Sequence, residues 1–253
     1  MLIDESFHKA YRALEEKMKA LAEADGDVFL PNPEPLGPVQ YILITMEPSL
    51  GRWARGSDAR SRAEHAKSRV EAGFRNFLPS DEISILHFCI RRYLCGPAER
   101  YHITDFSKGA MLVQHAGLAR EQRYVRWYPL LQEEIALCAS PTAGIIAVGD
   151  EVAQHLTRRG FRRPFTPVLH YSGQAGLARK KAIERREESF QAFLGSVSLE
   201  DVVATAKNVL REAHASSDIR DDTLSRLTQK RQLTISSQQL IFIYKEAFES
   251  IRL

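Results

Sequence analysis

The apolar run from Val39 to Met46 is short, rich in β-branched residues and hydrophobic on both faces. A segment of that kind suits a central strand of a parallel sheet covered by helices on either side. Three further short runs repeat the pattern: Arg100 to Thr104, Ala143 to Val148 and Thr166 to His170. Between them the apolar spacing changes to that of helices. Ser80-Asp81-Glu82 opens one whose buried face is Ile83, Leu86, Cys89, Ile90, Tyr93 and Leu94, ended by Gly96-Pro97. Gln122 to Ala139 forms a second, with Trp127, Leu130, Leu131, Ile135 and Leu137 inward, and Gly149-Asp150-Glu151 turns into a third. Ile3 to Ala24 reads as a helix packed from outside, through Phe7, Tyr11, Leu14, Met18 and Leu21. The alternation of strand and helix predicts a three-layer α/β/α domain around a four-stranded parallel sheet with right-handed crossovers.

The segments between and beyond these elements are of other kinds. Phe29 to Pro38 carries four prolines and reads as an extended connector. Ser57-Asp58 can cap a strongly charged helix to about Glu71. Beyond Gly195 the strand signal disappears. Ser198 to Asp201 and Ser236 to Gln239 have capping-box spacing, each opening an apolar-periodic run. The organisation expected is an α/β domain over residues 1–195 and a helical extension over 196–253 packed on it.

Composition narrows the function classes. A chain of 253 residues with 44% hydrophobic content can bury a large core. No run is long enough to span a membrane, and the first residues lack the order of a secretory signal, so a cytoplasmic protein is expected. Three cysteines, Cys89, Cys95 and Cys138, are too few and too widely spaced for a disulfide framework or a cluster ligand set; no metal or cofactor is expected. The net charge of +3 decides nothing, but nine Lys or Arg residues against the single acid Glu184 lie between Arg158 and Arg186. That density fits a polyanion footprint or two solvated helix faces.

In open α/β sheets the ligand crevice lies beyond the carboxyl ends of the strands. Three polar residues stand there: Glu47 before Pro48, Asp105, and His170. Each could equally open a solvated loop or bond to backbone. Their order and context resemble the uracil-DNA glycosylase superfamily over roughly residues 38–195. Thr45-Met46-Glu47-Pro48-Ser49 resembles its first motif, Tyr101 to Lys108 its middle strand with the base-reading residue at the tip, and Leu169 to Gln174 its second motif. Some positions depart from the family's pattern: Thr45 stands where it has glycine, Glu47 is one methylene longer than the commonest acid before the proline, and Asp105 stands where it has asparagine. Tyr171 also replaces the usual proline, and the cysteine count excludes the iron–sulfur branches. The chain looks like an outlying branch.

The resemblance implies a monofunctional enzyme that hydrolyses the N-glycosidic bond of uracil, or of other deaminated bases, in DNA. Glu47, Asp105 and His170 are then the catalytic set: Glu47 beneath the sugar cation and its attacking water, His170 donating to the departing base. The flipped base would lie against Met46, Phe74, Phe77 and Asp105. Ser49, Ser172, Gly173, Gln174, Leu177, Arg179 and Lys180 would contact DNA, with Leu177 or Arg179 as the wedge. Because an ionised Asp105 only accepts hydrogen bonds, a broader base preference is expected. Lys108, three residues past the strand tip, is expected to be solvated. A monomer is favoured. Two other readings use the same residues: a catalytically silent DNA or nucleotide binder, and a hydrolase of free nucleosides.

Overall fold

The computed structural model describes residues 5–50, 59–77, 80–111, 113–213 and 227–252. Four strands form a parallel sheet: β2 (Val39–Thr45), β3 (Tyr101–Asp105), β5 (Ala139–Val148) and β6 (Phe165–Val168), in the spatial order β3-β2-β5-β6. The register sets Thr45 beside Asp105, Ile44 beside Ala147, and Val148 beside Val168, so the carboxyl ends lie level. A two-stranded antiparallel ribbon, β1 (Val28–Phe29) with β4 (Gly109–Ala110), lies outside it.

Side chains alternate across the sheet, as the two-residue period of a strand requires. Ile42, Ile44, Ile145 and Ala147 face one layer, made of α1 (Glu5–Ala24), α4 (Val113–Cys138) and α5 (Asp150–Arg158). Leu43, Ile146 and Val148 face the other. There they meet α3 (Asp81–Cys89), α8 (Leu199–Glu212) and α9 (Ile235–Arg252). Both faces of the central strands are therefore dry, which is why their sequence shows no polar alternation. Helices α8 and α9 contribute Val202, Val209, Leu240, Tyr244 and Phe248 to the same apolar cluster as the sheet. The remaining helices are α2 (Ala59–Glu71), α6 (Gly176–Glu184) and α7 (Glu187–Phe193).

Several boundaries move from those expected. Helix α4 begins at Val113 rather than Gln122 and runs through Pro129, because Gly117 breaks the apolar period without breaking the helix. Strand β6 ends at Val168, which leaves His170 two residues out on the following turn. The Ser80 hydroxyl caps α3 as predicted, accepting from the Ile83 amide at 3.4 Å; that helix closes in a π turn over Ile90–Leu94. Ser198 and Asp201 form the expected capping box. At α9 the cap is Thr234, whose hydroxyl accepts from Ser237 N–H at 3.1 Å, so the helix starts before Ser236. The expected cap at Ser57 and Asp58 lies outside the described residues.

Candidate active site

Sheet order places the first strand of the parallel set, β2, between the second and third, β3 and β5. The chain thus leaves β2 to one side and returns to its other side, and ligands in open α/β sheets bind in the crevice at that reversal. Glu47 follows β2, Asp105 closes β3, and Gly149 and His170 follow β5 and β6.

Glu47 does not project freely. Arg120 of α4 donates to it through Nη2 at 2.8 Å and through Nε at 3.3 Å to both oxygens. The Tyr124 hydroxyl donates to its other oxygen. Arg120 and Tyr124 are one helical turn apart and therefore share a face. Tyr124 is itself fixed by Phe106, stacked at 4.1 Å, and by the edge of His155 at 4.6 Å. Burial, and then the neighbouring Glu47 carboxylate, hold the Tyr124 phenol well above its usual range, so it stays a donor. The glutamate side chain is 6% exposed. It is an oriented carboxylate: three hydrogens engage its two oxygens, which offer about four acceptor sites, so about one is left.

His170 is fixed differently. The Ser172 amide donates to Nδ1 at 3.0 Å, so the neutral ring carries its proton on Nε2. Nothing among the described residues accepts that proton. Burial lowers the His170 pKa to about 4, against the opposing pull of Glu47 and with the help of Arg179. The ring stacks on Tyr171 at 4.3 Å and seats against Gly149, where an added Cβ would lie 3.2 Å from it. Gly149 has φ +103°, a conformation open to glycine. The His170 ring, after β6, lies near enough to Glu47, after β2, for the carboxylate charge to oppose the lowering of its pKa.

Asp105 is brought to the same end of the sheet, but its oxygens are taken. Thr45 Oγ1 donates to Oδ1, while Asn32 and Asn76 donate to Oδ2 at 3.0 and 2.8 Å. Thr45 and Asp105, two of the positions that depart from the resembled motifs, are thus bonded to each other. Burial raises the Asp105 pKa, opposed by Lys108 and by the three donors. Asp105 is the hub of a polar cluster rather than a free reader of a base.

The other expected site residues take varied places. Phe74 is in the core beneath the Arg69 guanidinium, because the chain after α2 turns inward there. Phe77 packs edge-on against His87 at 4.5 Å and lines a groove with Tyr101 and Ile103 of the edge strand β3. Met46 packs against the core on the α4 side, and Ser49 bridges to Met111. Ser172 caps a single turn, Gly173–Ala175, that contains Gln174 and leads into α6. Arg179 is buried and donates to the Ser172 carbonyl at 3.2 Å, so it braces the His170 loop instead of projecting from it. Leu177 is 77% exposed, and Lys180, Lys181, Arg185 and Arg186 are exposed along and just after α6. Arg158 and Arg159 pair with Glu121, and Arg163 donates to the Ala143 carbonyl, so that half of the basic run is engaged by the fold.

Compared with known proteins, the chain matches no family model, no curated protein and no solved structure.

Lys108 reverses its expectation. It is 2% exposed, bonded to Glu134 at 2.9 Å and to the Thr104 hydroxyl. The turn into β4 carries it under the sheet, where α4 supplies the counter-charge. Glu134 also accepts from His102 at 3.0 Å and Tyr11 at 3.3 Å. Burial alone would raise the Glu134 pKa, but Lys108 and His102 bring it down to about 2. Nothing in the sequence spacing points to Asn32, Asn76, Arg120 or Tyr124; the i, i+4 polar pair on α4 is the one local signal among them.

Proposed function

We propose that the chain is a monofunctional DNA glycosylase that hydrolyses the N-glycosidic bond of uracil or related deaminated bases. The observation that carries this reading is an oriented carboxylate together with a neutral histidine whose Nε2–H has no acceptor among the described residues. Breaking an N-glycosidic bond leaves positive charge on the sugar and negative charge on the base. Glu47, held by Arg120 and Tyr124, would stabilise the first and orient water with the one acceptor site left to it. His170 would donate from Nε2 to the base oxygen as charge gathers there. A histidine whose pKa is about 4 donates as a neutral group and remains one over the physiological range.

A base inside a duplex must leave the stack to reach these groups. Leu177, exposed beside the His170 loop, is suited to fill the gap, and the cations of α6 to hold flanking phosphates. Lys108 is too buried and too fully bonded to form an imine with the sugar, which supports hydrolysis without strand cleavage. Among the described residues no helix is long and apolar enough to cross a membrane. We place the protein in the cytoplasm, acting as a monomer on DNA.

One observation favours a second reading, a silent DNA-binding module: both Glu47 oxygens already have protein partners. Abasic-site formation decides between them. Oligonucleotides containing uracil, hypoxanthine, xanthine or a thymine mismatch, in single and double strands, are incubated with the protein and cleaved at abasic sites with alkali. Product from uracil is expected; binding without product on every substrate would establish the silent module.

A further inference from the structure

If the base is to be read by hydrogen bonds, Asp105 cannot do it alone, since Thr45, Asn32 and Asn76 already occupy its oxygens. The two asparagines differ in what they have left. Asn32 is buried and used at both ends: its amide nitrogen bonds Asp105 and the Asn76 carbonyl, and its oxygen accepts from the Asp105 amide. It is a strut.

Asn76 is half-buried. Its backbone is pinned on both sides, N–H to the Pro31 carbonyl at 2.7 Å and C=O to Asn32 at 3.2 Å. Its side-chain nitrogen lies 2.8 Å from Asp105. A carboxylate accepts and an amide NH2 donates, so this contact fixes which end of the carboxamide faces Asp105. One N–H is spent there. Among the described residues nothing accepts from the second N–H and nothing donates to the oxygen. A carboxamide held this way offers one donor and one acceptor side by side.

We propose that Asn76, oriented by Asp105, is the residue that reads the base, and that it selects a lactam edge. That edge, a ring N–H beside a carbonyl, is common to uracil and hypoxanthine and absent from cytosine and adenine, whose amidine edges reverse the pattern. The Asn76 oxygen accepts the ring N–H while its free N–H donates to the carbonyl. The pairing separates each deaminated base from its parent, whereas guanine and thymine carry the same edge and have to be kept out by the shape of the pocket. The inference rests on the glycosylase reading above.

The test compares release of uracil with release of 3-methyluracil from the same oligonucleotide, by wild type, Asn76→Ala and Asn76→Ser. Methylation removes the ring donor and leaves both carbonyls. Wild type should favour uracil by about a hundredfold or more, because the analogue leaves a site group unpaired. Both variants should lose most of that ratio, mainly by releasing uracil more slowly, while affinity for abasic DNA stays within about threefold. Wild type that releases both bases equally overturns the inference without any variant having to fold. Variants that keep the wild-type ratio overturn it as well. Wild type that releases no base from any substrate overturns the glycosylase reading and this inference with it, and is recognised by the missing wild-type activity.

Discussion

Replacing Lys108 by methionine removes an ammonium group that is 2% exposed and leaves a carboxylate, Glu134, that is 1% exposed. Breaking a buried ion pair by deleting one partner costs about 3–5 kcal/mol, since the survivor keeps its desolvation penalty. That is a large share of a typical folding stability of roughly 5–15 kcal/mol. For a chain of this size it corresponds to a melting temperature lower by about 6–20 °C. The double variant Lys108→Met with Glu134→Gln should recover most of the loss: methionine fills the lysine stem's volume, and the Gln oxygen still accepts from His102 and Tyr11. Urea unfolding of wild type, both singles and the double at pH 7 and pH 4 measures the coupling. The sign with pH is specific. Wild-type Glu134, held at about 2, contributes stability that is present above its ordinary 4.5 and is lost as the pH falls from there towards 2. In Lys108→Met the buried carboxylate has lost its main counter-charge and protonates more readily, so its deficit against wild type should shrink between pH 7 and pH 4. A deficit that is constant with pH, or a double variant as unstable as the single, would refute the argument and leave lost packing as the cause.

Glu47→Gln should slow single-turnover base release by about a hundredfold or more, with DNA affinity nearly unchanged, because the charge acts mainly when the sugar becomes cationic; stopped-time assays and fluorescence anisotropy separate the two. Leu177→Ala should reduce release from duplex DNA by more than from single strands, since a wedge is needed only where a stack must be opened; equal losses would remove Leu177 from the mechanism. His87 and His170 both have pKa values lowered to about 4 by burial. Stability should therefore be full above about 6.5 and decline as the pH falls through that value towards 4. For the fully buried His87 alone this is worth about 3 kcal/mol. NMR titration of the two rings checks it, and normal pKa values would sink it.

The strands were legible because both faces of the sheet are dry: Ile42, Leu43 and Ile44 leave no doubt about a central β2. The ends of β2 and β5 were legible too, since Pro48 and Gly149 stop them, whereas β6 ends two residues short of the expected His170. What the sequence does not display is pairing at a distance. Arg120 and Tyr124 reach Glu47 across 73 and 77 residues, and no periodicity encodes that. Lys108 misled for a related reason. A lysine's charge favours water unless a partner is supplied, and its partner sits on another element, 26 residues on. Arg179 misled because a basic residue in a basic run reads as surface, whereas its guanidinium here braces a carbonyl in the turn it follows.

The Tyr244 hydroxyl donates to the Leu169 carbonyl at 2.8 Å, so the backbone leading into His170 is tied to a residue 75 positions later in the chain. A ribosome adding about 5–20 residues per second needs roughly 4–15 s to cover that interval. Throughout that time the sheet strands and the Glu47 loop already exist, yet the histidine turn lacks its tether. During its own synthesis the protein therefore passes through a period in which the half of the candidate site built on α4 can be complete while the half built on β6 still lacks its tether, so that the pocket is assembled in two instalments rather than one.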